Sequence, residues 1–299
     1  MTARRKAEFY LFLTTFIWGS TFVLNKIGMN DLSPFAFITV RFSIGTVLFG
    51  LAFFRQLRRI PASTWKRGAF LGVLLGVGIA IQNFGLYLTT ASNAGFITGM
   101  MVIFTPLAQI VFLKKKPKAG NLVGIAIVTY GLYLLTQPEG SSGINFGDVL
   151  VLLSSILFGI YIVFLDIYTK KEDVVKISFV QVLSVAVVSL GFWPFETVRL
   201  DFTPASAAIV FFLALFATVL TTYVQNRYQK DTTPTSAAII FSVEPVISAV
   251  LAYAVLHEVI GWIGAAGGAL IVGGILISEF AEDLGKKIMW TAKPVREEE

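Results

Sequence analysis

The chain has 299 residues, 56% of them hydrophobic and 14% charged, with a mean hydropathy of +0.77 and a formal net charge of +6. That much apolar surface cannot be hidden in one soluble core, so lipid must act as a second solvent. The absence of cysteine excludes a disulfide framework, a thiolate metal site and a cysteine nucleophile, and the lone histidine, His257, leaves almost nothing for zinc.

A bilayer core about 30 Å thick takes roughly 20 helical residues per crossing. Apolar stretches of that length, taken in chain order, predict ten helices over 8–28, 35–54, 68–90, 94–113, 120–137, 147–168, 175–195, 204–226, 234–256 and 260–280. The runs are continuous, whereas barrel strands would alternate over about ten residues, so the class is an all-α integral membrane protein. The first segment follows Arg4, Arg5 and Lys6 and runs past Gly19-Ser20 into Phe22-Val23-Leu24 without a small-residue cleavage site. It reads as a retained helix and not a signal peptide.

The positive residues alternate by connection. All but Lys26, Arg41 and Arg199 of the 24 lysines and arginines fall before the first helix, in every second connection, or in the tail. The positive-inside rule then puts both termini in the cytoplasm of a cell (inner or plasma) membrane. The basic stretches need anionic lipid and no nucleic acid. Internal similarity supports a duplication. Phe16-Ile17-Trp18-Gly19 answers Ile156-Leu157-Phe158-Gly159, and Phe104-Thr105-Pro106 answers Val243-Glu244-Pro245. A five-helix unit re-enters from the opposite side, so the reading is an inverted 5+5 repeat: residues 1–139, then 140–283, then a cytoplasmic tail at 284–299. Such repeats suit alternating access, with a site between the halves.

Phe16-Ile17-Trp18-Gly19-Ser20-Thr21-Phe22, the Pro34-Phe35-Ala36 lead into Arg41-Phe42, and Glu244-Pro245 followed by Glu258 resemble EamA-type members of the drug/metabolite transporter superfamily over nearly the whole chain. The resemblance implies a secondary transporter of amino acids, metabolites, nucleotide sugars or drugs. It also implies a cavity lined from helices one, three, four, six, eight and nine. One departure is Lys114-Lys115-Lys116-Pro117, where the family pattern has a glutamate after the fourth helix. This points to a local role for Glu258.

Polar groups inside the spans are the candidate site. Glu244 lies about 15 Å into the ninth helix, near the midplane, where a carboxyl must be paired or carry a proton. It is a candidate coupling acid, or a structural acid at the kink of Pro245. Arg41, two turns into the second helix, can fork onto a carboxylate or phosphate, or hold a structural ion pair. Gln82 and Asn83, with Tyr87 one turn beyond Asn83, form a polar face that suits a zwitterion or glue between helices. Trp18 sits mid-helix, where it can face a cavity or pack. Lys26 reads as snorkelling and Gln225 with Asn226 as a solvated helix end. Pro106 and Pro245, at matching repeat positions, suit hinges or static bends. Glycines four apart at 72/76, 120/124 and 264/268 suit close helix packing.

The expectation is a carrier of a small organic solute, an amino acid or related metabolite, moved outward. It would use alternating access by proton coupling, exchange or facilitated diffusion, with a proton as candidate coupling ion and no cofactor. The alternatives are a flippase for a lipid-linked substrate, a membrane receptor, or an intramembrane enzyme built on Gly140-Ser141-Ser142-Gly143. That string lies in a polar connection with no oriented base, and no Gly-x-x-x-x-Gly-Lys loop is present to bind a nucleotide.

Overall fold

The computed structural model describes residues 2–135, 145–258 and 261–291. The Gly140–Gly143 string, the junction between the two expected repeats and the end of the tail lie outside them. Apart from short turns of 3-10 helix, the described residues form the helical segments α1 (Ala3–Gly28), α2 (Pro34–Ala52), α3 (Ala62–Leu88), α4 (Ala91–Leu113), α5 (Ala119–Leu135), α6 (Phe146–Thr169), α7 (Val174–Gly191), α8 (Pro204–Asp231), α9 (Pro234–Leu256) and α10 (Trp262–Thr291). Eight are long and apolar enough to cross a bilayer; α5 and α10 carry shorter apolar stretches, Ala119–Leu134 and Trp262–Ser278. The described residues hold no strand, only an isolated antiparallel bridge between Leu32 and Leu200.

Several helices begin earlier or end later than hydropathy suggests. α3 starts at Ala62, and α10 runs on to Thr291. Hydropathy marks where lipid stops, but a helix continues into polar sequence while nothing breaks it. The starts carry clear local signals. Thr2 accepts from Arg5 N–H, Asn145 and Asp148 form a reciprocal capping box, and Pro34, Pro204 and Pro234 occupy first helical positions where a missing N–H costs nothing.

Three helices are interrupted. α4 turns at Met100 and widens to a π-helix over Gln109–Leu113; α8 is π-helical over Leu213–Leu220; α9 breaks at Ser242 and Val243. Pro245 follows its break by two residues, consistent with a ring that cannot donate to the preceding turn. Pro106 lies between the two irregularities of α4 and coincides with neither. The matching prolines therefore sit in unequal surroundings. α4 and α9 nevertheless end alike, on left-handed residues Lys114 (φ 55°) and His257 (φ 57°).

In the bundle α1 packs on α9, α6 on α4, α3 against both α6 and α7, α8 against both α1 and α2, α2 on α7, and α5 on α10. Several crossings are so close that only glycine fits, two of them being representative. A Cβ on Gly19 would lie 2.7 Å from Ile247 Cβ, and one on Gly131 would lie 2.7 Å from the Gly267 carbonyl. The outward faces carry exposed Phe, Leu, Val and Tyr from most helices, such as Phe12, Phe16, Leu51, Val111 and Tyr133. In water such a belt would aggregate; in lipid it is the solvated face.

Candidate functional site

Between them α1, α2, α3, α4, α6, α8 and α9 line a cavity of about 110 Å³. Besides Thr21, its polar side chains form three layers: one of amides and a threonine (Asn25, Gln82, Asn83 and Thr98), one charged (Arg41 and Glu244) and one of Tyr161, Thr222 and Gln225. Trp18, Phe42, Phe158 and Phe241 supply apolar walls. The sequence expectation left out α2, which contributes Arg41 itself.

The first layer is tied by two short bonds. Asn25 Nδ2 donates to Asn83 Oδ1 at 2.9 Å, and Gln82 Nε2 donates to Thr98 Oγ1 at 2.8 Å. Tyr87 does not join them. Its ring is 50% exposed, although it follows Asn83 by four residues. It lies at the helix end, where a phenol gains more from water and headgroups than from burial.

In the charged layer, Arg41 is buried and donates from Nε to Thr218 Oγ1 at 2.9 Å and from Nη2 to the Ala217 carbonyl at 3.0 Å. Its guanidinium carbon lies 5.3 Å from the Phe42 ring centre. Both acceptors belong to the π-helical stretch of α8, whose altered register lets a main-chain oxygen serve a side chain. Glu244 opens the second part of α9, is buried, and has neither a hydrogen bond nor an ion pair among the described residues. Arg41 and Glu244 thus line one cavity without bridging each other. Trp18 stands beside them; its Nε1 donates to Thr221 Oγ1 at 3.0 Å and its ring meets Phe241 edge-on at 5.2 Å.

The third layer contradicts the expectation of a solvated end at Gln225 and Asn226, since both are fully enclosed. Gln181 Nε2 donates to Tyr161 Oη at 2.7 Å, and Tyr161 Oη donates to Gln225 Oε1 at 3.2 Å. Gln225 Nε2 then donates to Gln229 Oε1 at 2.9 Å, and Asn226 Nδ2 to Ser178 Oγ at 2.8 Å. Such a buried network ties α6, α7 and α8 together. The missed signal is Gln181, an amide in the middle of α7 that needs a partner of its own kind.

Near the ends of the bundle two carboxylates and a lysine cap helices. Glu196 accepts from Ser33 Oγ at 2.7 Å and from the Phe35 and Ala36 N–H groups at 3.0 and 2.9 Å, capping α2. Glu258 accepts from the Ala91 and Ser92 N–H groups, both at 3.1 Å, capping α4. This is the local role its sequence context suggested. Lys26 does not snorkel freely: its Nζ donates to the carbonyls of Leu86, at 2.8 Å, and Thr89, closing the end of α3.

An apolar bundle folded around a part-open cavity edged with polar side chains defines the protein as a multi-pass membrane protein. The chain belongs to the EamA-like transporter family, which it matches twice, over residues 5–137 and 145–280. It is 32% identical to an uncharacterized transporter of Archaeoglobus fulgidus, over 92% of this chain and 86% of that one. It is 25% identical to YedA, an uncharacterized inner membrane transporter of Escherichia coli, over 95% and 92%. A solved crystal structure of 19% identity superimposes with a TM-score of 0.74, covering 93% of this chain and 98% of the other, which shows a shared fold.

Proposed function

We propose that the protein is a ten-span secondary transporter built as an inverted repeat, with both termini in the cytoplasm. It moves an amino acid or a related small metabolite outward by alternating access. The packing supports the repeat, since shifting every helix by five exchanges like contacts: α1 on α9 becomes α6 on α4, and α3 against α6 and α7 becomes α8 against α1 and α2. The close crossings follow the same rule. A Cβ on Gly19 would lie 3.0 Å from the Glu244 carbonyl, and one on Gly159 would lie 3.0 Å from Thr105 N.

The observation that carries the substrate reading is the pair Arg41 and Glu244, of opposite sign, buried, lining one cavity and unbridged. A guanidinium with N–H groups to offer suits a carboxylate. A carboxyl without partners in apolar surroundings is either neutral or answered by a cation. Glu244 therefore serves as the coupling group, holding a proton in one part of the cycle and the positive end of the solute in the other. Pro245, next to the break in α9, gives that segment freedom to reorient, and Pro106 answers it in α4. The enclosed amide layers on either side of the charges are candidate gates, and no lateral opening toward lipid is needed for a solute of this size.

Counterflow of a panel of radiolabelled amino acids and metabolites in proteoliposomes, with and without a pH gradient, tests this reading against Glu244→Gln. Flux that follows the gradient in the native protein and ceases to follow it in the folded variant supports coupling at Glu244. Equal responses in both proteins would leave a carrier but remove Glu244 from the coupling step, and no flux of any amphoteric solute would overturn the substrate class.

A further inference from the structure

Asn25, in the first polar layer of the cavity, is held in an orientation its neighbours dictate. Asn83 Nδ2 donates to the Ile79 carbonyl at 3.0 Å, and a carbonyl can only accept. The Asn83 amide is thereby fixed with its Oδ1 toward Asn25, which must answer with its own Nδ2, at 2.9 Å. Nothing then remains for Asn25 Oδ1. The residue is 4% exposed, and this oxygen has no hydrogen-bond partner. A buried amide carbonyl without a donor is unfavourable and uncommon, and a leucine at this position would avoid it.

The uncommitted polar capacity of the cavity has a definite pattern. Asn25 Oδ1, Gln82 Oε1 and the Glu244 carboxylate are acceptors without donors among the described residues, and Arg41 Nη1 is a donor group left over after Nε and Nη2 have found Thr218 and Ala217. Several acceptors and one cationic fork match a solute with several N–H donors on one side and a carboxylate on the other. We propose that Asn25, oriented by Asn83, accepts a hydrogen bond from the amino group of the transported solute and so selects for amine-bearing over amine-lacking carboxylates. This rests on the amino-acid reading above and adds the residue that reads the amino group. An ammonium offers three N–H groups, so Glu244 takes its charge while Asn25 takes one of its bonds.

The test measures binding of leucine and 4-methylpentanoate, the same skeleton without the amino group, to the purified full-length protein by competition and thermal shift. The native protein is expected to bind leucine at least about ten-fold more tightly. In Asn25→Leu that preference should fall about ten-fold while 4-methylpentanoate, which relies on Arg41, binds within about two-fold of the native protein. Should Asn25→Leu not fold, Asn83→Ala is the second variant. It frees the Asn25 amide to turn over, and should lower the preference at least about three-fold. An unchanged preference in a folded variant overturns the role of Asn25 and leaves the amino-acid reading standing. A native protein that binds neither compound overturns that reading and this inference with it, and one that binds both equally overturns the role of Asn25 alone.

Discussion

The two stretches that match the family share a skeleton and differ in their charges. Trp18 and Phe158 both wall the cavity, and Gly19 and Gly159 both admit a crossing helix. Yet where the second stretch has Glu244 beside its proline, the first has Thr105, whose hydroxyl is satisfied by the Met101 carbonyl at 2.8 Å. After the left-handed residue that ends α9 comes Glu258, which caps α4; after the one that ends α4 comes Lys115, which supplies α9 with no such cap. Packing demands are symmetric because two like surfaces meet. Chemistry need only be present once, so a duplicated fold carries its function in the positions that fail to repeat.

That contrast can be broken at its charged positions first. Glu244→Gln should abolish the response of flux to a pH gradient, whereas Thr105→Val, at the matching place, should leave it unchanged; proteoliposome uptake separates the two. Arg41→Lys should raise the half-saturation constant for carboxylate solutes about ten-fold, since a lysine offers a point charge in place of a fork, and the loss should be absent for neutral amides of the same solutes. Concentration-dependent counterflow gives both values.

The shared skeleton can be tested through its glycines. Gly19→Val and Gly159→Val should each destabilise by about 1–3 kcal/mol, because the added groups must push α1 from α9 or α6 from α4, and thermal unfolding in detergent should show losses of similar size. A smaller effect is expected at the caps. Glu258→Gln should cost about 1 kcal/mol by weakening the bonds to Ala91 and Ser92 N–H, and Lys115→Glu should recover a similar amount by capping α9, read from unfolding temperatures of the two proteins.

The smallest effect concerns Asp31, in the connection between α1 and α2. A hydrogen bond from the Thr203 hydroxyl, then one from Ser206, holds its carboxyl below the usual 3.8. A depressed folded-state value favours the fold above the unfolded-state value, and the benefit goes as pH falls through the lower one. Asp31→Asn should therefore unfold slightly earlier than the native protein at neutral pH, with the difference closing below pH 3.8.

Much of the fold was legible because lipid imposes one rule on every crossing. The helices follow from apolar run length, although eight and not ten are long and apolar enough to cross a bilayer. Of the glycines named by spacing, Gly72 and Gly124 meet a neighbouring backbone closely, whereas Gly19 and Gly131 lay outside those pairs. The site was legible only in part. Glu244, Arg41, Gln82, Asn83 and Trp18 were visible as polar or outsized groups in apolar runs, and the structure brings them to one cavity. Tyr87 was misplaced because helical spacing names a face but not the depth at which that face meets headgroups. Gln225 and Asn226 were misread because distance from a helix end was taken for exposure, although α8 continues to Asp231 and buries them under α7. Asn25 stayed hidden because its importance lies in a bond it does not make, which depends on Asn83 and on the Ile79 carbonyl together.

The α5–α10 pair gives the cavity no lining residue, and its two backbones approach closely enough at Gly131 and Gly267 to behave as one strut. For anyone wishing to watch this protein work, that strut is the place to hold it: a surface anchor or a reporter dye on the outer face of α5 would ride on a part of the molecule that lends the cavity no side chain.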